Sequence, residues 1–170
     1  MPHLNVEIKA RCKNPDQIRA ILKAHQADFR GTDHQIDTYF DNVKGRLKLR
    51  EGNIENNLIH YLRSNQAGPK KSEVHLYPTP DSVRLKALLQ TALGVKVVVD
   101  KKREIYFIKN VKFHLDQVKG LGSFVEIEAI DDDGTIGEPF LLQQCQTYLQ
   151  LFEIEADDLI EVSYSDLLLS

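Results

Sequence analysis

Charged residues recur at every second position in several short segments of this chain, and the signs of those charges are sorted. Asn5, Glu7, Lys9 and Arg11 alternate with Leu4, Val6, Ile8 and Ala10, while Arg46, Lys48 and Arg50 alternate with Leu47 and Leu49. Further on, Glu126 and Glu128 alternate with Val125 and Ile127. Side chains of a strand point to opposite faces with a period of two, so each set stands on one face. Arg63, Lys101 and Arg103 occupy alternating positions of the same kind. Arginine offers a planar fork of donors and lysine a compact ammonium, and together they can neutralise a triphosphate from several sides. The carboxylates Glu7, Asp116, Glu126 and Glu128, with Asp37 and Glu73 as further candidates, offer the hard oxygens that Mg²⁺ and Mn²⁺ prefer. Glu126 and Glu128 would lie about 7 Å apart along one strand face, close enough to share a metal cluster. The competing reading is a set of solvated outer sheet faces, where Lys and Arg also discourage edge pairing.

Other routes to phosphate chemistry find no support in the chain. There is no G-x-x-x-x-G-K-[ST] loop, and Gly120-Leu121-Gly122 reads as a tight turn. No nucleophilic Ser or Cys has an orienting base nearby, which favours metal and cations acting on phosphate directly. The six histidines form no spaced ligand pair; His114 shares the parity of Asp116, but a structural or solvated role is the simpler reading.

The elements that must position these groups follow from the same periodicities. A strand over residues 3 to 11 is followed by Asn14 and Pro15 as N-cap and first position of a helix carrying Ile18, Ile21 and Leu22. Strands are predicted at 35–40, 46–51, 58–63 and 73–77, with turn chemistry at 42–45 and at Asn56-Asn57. Thr79-Pro80 opens a second helix with an apolar stripe of Val83, Leu85, Leu88, Leu89 and Leu93, closed by Gly94. Strands near 95–108, 111–117 and 123–130 follow, then a helix from Glu138 to Phe152 and a terminal helical turn at 164–169. Short turns between strands argue for an antiparallel α+β fold. Counting strands does not choose between an open sheet, a sandwich and a closed barrel.

The totals suit one domain over residues 1–170: 42% of residues are hydrophobic and 28% charged. A net charge of −3 gives no global bias towards nucleic acid, and no apolar run approaches a membrane span. Cys12 and Cys145 lack CxxC spacing, and the N-terminus lacks a signal-peptide core; both point to a reducing cytoplasm. Whether the chain forms a homodimer is not fixed by these features.

In their order, Val6-Glu7-Ile8-Lys9, Asp37-Thr38-Tyr39-Phe40, Leu47-Lys48-Leu49-Arg50, Lys101-Lys102-Arg103 with Tyr106, Leu115-Asp116 before Gly120-Leu121-Gly122, and Phe124-Val125-Glu126-Ile127-Glu128 resemble the CYTH superfamily. These are the triphosphate tunnel metalloenzymes, and the stretch from Lys101 to Ile130 is most similar to class IV adenylate cyclases. The resemblance implies a closed eight-stranded antiparallel β-barrel with flanking helices, whose tunnel binds a triphosphate such as ATP or polyphosphate. By the same likeness, Lys9, Arg11, Lys48, Arg50, Arg63, Lys101 and Arg103 would clamp the phosphates. Glu7, Asp116, Glu126 and Glu128 would hold Mg²⁺ or Mn²⁺, and catalysis would fall to Glu7, Lys9, Arg50, Arg103 and Glu126. The implied reaction converts ATP to cyclic AMP and pyrophosphate, with triphosphate hydrolysis or non-catalytic triphosphate sensing as the alternatives. The family opens with E-x-E-x-K, and here Asn5 replaces the first glutamate with a neutral amide.

Overall fold

The computed structural model describes residues 3–170. Strands β1 (His3–Arg11), β2 (Asp28–Phe40), β3 (Arg46–Glu51), β4 (Asn56–Arg63), β5 (Lys70–Pro78), β6 (Val95–Ile108), β7 (Val111–Val118) and β8 (Gly122–Asp131) close into a barrel. Their order around it is β1-β5-β4-β3-β2-β6-β7-β8, and every neighbouring pair is antiparallel. Helices α1 (Pro15–Ala24), α2 (Ser82–Leu93), α3 (Glu138–Leu151) and α4 (Tyr164–Leu169) flank it. No helix among the described residues is long and apolar enough to cross a membrane.

Alternation divides each strand between two environments. The outward residues of β1, β7 and β8 (Val6, Ile8 and Ala10; Val111, Phe113 and Leu115; Val125, Ile127 and Ala129) pack under Ile18 and Leu22 of α1 and Leu141 and Cys145 of α3. This outer layer is the main hydrophobic core, and each fully buried large side chain in it contributes about 1.5–3 kcal/mol. The inward residues of the same strands are Asn5, Glu7, Lys9, Lys112, His114, Glu126 and Glu128. A second apolar cluster, with Tyr39, Tyr61, Val99, Val118 and Phe124, fills one end of the barrel beneath Tyr164 of α4.

Asn14 caps α1 by accepting from the Gln17 amide, as its position implies. Four expectations are corrected. β2 begins at Asp28 rather than residue 35, because its first half is polar on both faces and carries an irregularity between Phe29 and Gly31. Asn56 and Asn57 are not a turn but the first residues of β4, paired with Glu51 and Arg50. α2 starts at Ser82 under an Asp81 cap. Its apolar stripe is not buried: Val83, Leu88 and Leu93 are exposed, and only Leu85 and Leu89 are partly covered.

Candidate active site

The barrel encloses a tunnel with about 740 Å³ of free space, counting its open mouth. Seven basic side chains line it (Lys9, Lys48, Arg50, Arg63, Lys101, Arg103 and Lys112) together with four acidic ones (Glu7, Glu55, Glu126 and Glu128). Six of those seven cations were expected from strand parity. Arg11 is not brought in: it is exposed beyond the lining, with its guanidinium 5.2 Å from the Phe124 ring centre. Arg46 also lies off the tunnel and pairs with Asp166 of α4 at 2.7 Å. Glu73 is exposed on the outer face of β5 and cannot join the acidic set.

Register explains how opposite charges meet. Lys9 faces Glu126 across β1 and β8, with Nζ 3.4 Å from the carboxylate. Arg103 faces Asp116 across β6 and β7 and donates through Nε and Nη2, both at 2.7 Å. Arg50 faces Asp37 across β2 and β3 and donates two bonds of 2.9 and 2.8 Å. Lys101 donates to the same Asp37 at 2.5 Å, and Lys48 lies 3.6 Å away. Arg63 pairs with Glu7, and Lys112 with Glu55.

Burying charge is costly unless it is paired, and the shifts follow from that balance. Burial alone would raise the Asp37 carboxyl, but Arg50, Lys101 and Lys48 outweigh it and hold it well below the usual range. Burial lowers the Lys9 ammonium to about 8, with Glu126 opposing the fall. Glu128 is driven up to about 7 by burial, against the pull of Lys112 and with Glu7 and Glu126 adding repulsion. Aromatic faces help to carry the cations. Lys9 lies 3.8 Å from the Tyr164 ring centre, Arg63 4.9 Å from that of Tyr61, and Lys48 within 5.4 Å of both Tyr39 and Tyr61.

One end of the tunnel is sealed by α4. Ser163 caps this helix in a reciprocal box with Asp166, which presents Tyr164 inward. The tyrosine packs on Phe124 with ring centres 4.9 Å apart, and its hydroxyl donates to Asp116 at 2.7 Å.

Besides His114, whose shared parity with Asp116 already marked it, three contributors were not foreseen. His114 faces Glu126 and bonds it through Nδ1 at 3.1 Å; burial and Arg103 push its pKa down to about 4, so the ring is neutral. Lys112 shares the parity of His114 and Asp116, a signal that was available. The hydroxyl of Tyr164 and the whole of Glu55 gave no periodic signal, since one sits at a helix start and the other in a loop.

The donor set fits a divalent cation. Glu7, Glu126 and Glu128 supply hard oxygens along β1 and β8, and the Asn5 amide oxygen beside them is buried with no hydrogen-bond partner. His114, Asp116 and Glu126 also bring one potential ligand atom each within 4.8 Å of one another. Of these, Asp116 has both oxygens engaged by Arg103 and one shared with Tyr164.

Comparison with known proteins agrees with this geometry. A family model described as CYTH domain matches residues 3–164. A Methanocaldococcus jannaschii protein named "putative adenylate cyclase" is 24% identical, covering 96% of this chain and 98% of its own length. The X-ray structure of a "putative adenylate cyclase" from Vibrio parahaemolyticus superposes with a TM-score of 0.82 at 21% identity, over 100% of both chains. A "putative adenylyl cyclase" from Hippeastrum, described as having a dominant triphosphatase activity, superposes with a TM-score of 0.57 at 16% identity. That match covers 97% of this chain and 94% of the Hippeastrum chain. At such identities the structural likeness establishes the fold.

Proposed function

The chain belongs to the CYTH domain family, and from that membership we propose that its tunnel is the active site of a metal-dependent enzyme of the adenylate cyclase type, converting ATP to cyclic AMP and pyrophosphate. The observation that carries the reading is the convergence of seven basic side chains with a carboxylate cluster inside one closed cylinder. A solvated outer face would leave the same residues apart. Arg50, Lys101 and Lys48 form one cationic group around Asp37, and Arg103 and Lys9 a second around Asp116 and Glu126. These groups hold the polyphosphate and stabilise the charge on pyrophosphate as the 3′-oxygen adds to the α-phosphorus, its proton passing to solvent, and the bond from the α-phosphorus to pyrophosphate breaks. Asp116 acts through Arg103, fixing the guanidinium in the tunnel wall.

Glu7, Glu126 and Glu128, with the Asn5 amide oxygen, would hold Mg²⁺ or Mn²⁺. Bound there, the ion would supply Lewis-acid polarisation of the phosphoryl group. The wall of β4 and β5 contributes one cation, Arg63, and otherwise uncharged side chains that include Ile59, Val74 and Leu76, apolar surface on which a nucleoside can rest.

A second reading is hydrolysis of a triphosphate, favoured by the activity described for the Hippeastrum protein. Incubation with ATP and Mg²⁺ or Mn²⁺, with products separated by chromatography, tests both. Cyclic AMP with pyrophosphate supports the cyclase and free phosphate the hydrolase. Tight binding without turnover would make the protein a triphosphate sensor. Failure of a panel of triphosphates to bind would end the reading of the tunnel as a phosphate site.

A further inference from the structure

Among the described residues, Glu55 is the one acidic group lining the tunnel that comes from a loop, between β3 and β4, and two buried polar residues place it. Asp33, fully buried, accepts the backbone N–H groups of Asn53 at 2.6 Å, Ile54 at 2.9 Å and Glu55 at 3.0 Å. Gly52 makes room for this cradle, since a Cβ there would lie 2.6–2.7 Å from the Asp33 oxygens. Gln35, also fully buried, donates to Asp33 at 2.9 Å and to the Glu55 carboxylate at 3.0 Å.

The carboxylate so delivered sits on two cations. It is the ion-pair partner of Lys112, and it lies 3.5 Å from Nη1 of Arg50. Arg50 has already committed Nε and Nη2 to Asp37, so Nη1 is the arm left for a ligand. Lys112 and Arg50 together hold the carboxylate in its ionised form against the effect of burial. A carboxylate and a phosphate group present similar oxygens to guanidinium and ammonium donors, and a phosphate brings more charge.

We propose that Glu55 is a built-in competitor for the phosphate site: its carboxylate holds Arg50 and Lys112 while the tunnel is empty and yields them to a phosphate of the entering ligand. The backbone stays pinned by Asp33 while the side chain turns aside, so the competing anion remains at high local concentration. Glu55 thereby sets the affinity threshold of the tunnel. The inference rests on the tunnel being a triphosphate site.

Titration calorimetry with inorganic tripolyphosphate, in chelator to exclude metal, tests it. Glu55→Gln should bind about tenfold more tightly than the native protein, and Glu55→Asp, which withdraws the carboxylate by one methylene, should tighten binding by a smaller factor. Glu51→Gln serves as the control. Glu51 pairs with Lys86 outside the tunnel, so its removal changes net charge without freeing Arg50 or Lys112. Binding by folded Glu55→Gln that is unchanged or weaker than native overturns the proposal, as does equal tightening by Glu51→Gln. If Glu55→Gln does not fold, Glu55→Asp decides by the same criterion. Absence of tripolyphosphate binding in the native protein and both variants would remove the triphosphate site itself, and this inference with it.

Discussion

Arg103 and Asp116 are direct cross-strand neighbours, and the guanidinium grips both carboxylate oxygens at 2.7 Å in a fully buried pair. Removing one member of such a pair strips the other of its main partner: without the Asp116 charge, Arg103 keeps only the longer 3.6 Å contact to Glu126. Asp116→Asn should therefore cost about 3–5 kcal/mol of stability, read from urea denaturation midpoints. A residue serving only as a metal ligand would instead lose metal affinity while the metal-free protein kept or gained stability.

Arg50→Ala removes the guanidinium whose third arm faces the cavity. Tripolyphosphate affinity should fall by about 1.5–3 kcal/mol in calorimetry. Asp37 remains neutralised by Lys101 and Lys48, so the barrel should still form. Unchanged affinity would take Arg50 out of the phosphate clamp.

Asn5→Glu places a third carboxylate beside Glu128, to which the Asn5 amide now donates, and near Glu7. Two effects should appear together: tighter Mn²⁺ binding by electron paramagnetic resonance, and lower stability in chelator because like charges crowd without a counter-ion. Tighter metal binding accompanied by increased turnover would identify the native amide as a brake on activity.

The raised pKa of Glu128 makes a signed pH prediction. The folded protein holds this proton up to about pH 7 while the unfolded chain releases it near 4.5, so between those values stability falls as pH rises, by about 1.4 kcal/mol per unit at most. His114 acts in the opposite sense between about 4 and 6.5, because its folded pKa is depressed. The contributions separate by mutation. The stability advantage of Glu128→Gln over the native protein, measured in chelator, should grow from pH 4.5 to pH 7 and then level off. A constant difference across that range would show that Glu128 titrates normally.

Much of the fold was legible because period-two alternation survives in a barrel whose outer face is dry and inner face wet. Val6-Glu7-Ile8-Lys9 and Val125-Glu126-Ile127-Glu128 each state both environments in four residues. The first half of β2 was hidden for the complementary reason: Asp33 and Gln35 face inward while Thr32 and His34 lie on the other face, so no contrast remains to detect. The α2 stripe misled because helical spacing guarantees a shared face but not a neighbour to cover it. Parity also gathered most of the tunnel cations, yet it could not assign their partners. Which carboxylate meets Arg50 or Arg103 depends on cross-strand register, and Glu55 reaches the site through a loop that has no period.

The helical cladding of the barrel is one-sided, and this has a dynamic consequence. β1, β7 and β8 lie under α1 and α3, whereas Lys71, Glu73, His75 and Tyr77 of β5 look straight into solvent. Local opening is easiest where backbone hydrogen bonds have least apolar cover. Amide deuteration should therefore be fast along β4 and β5 and slow along β7 and β8. The cylinder is then a stiff anvil on the side that carries Glu7, Glu126 and Glu128, and a more compliant wall on the other.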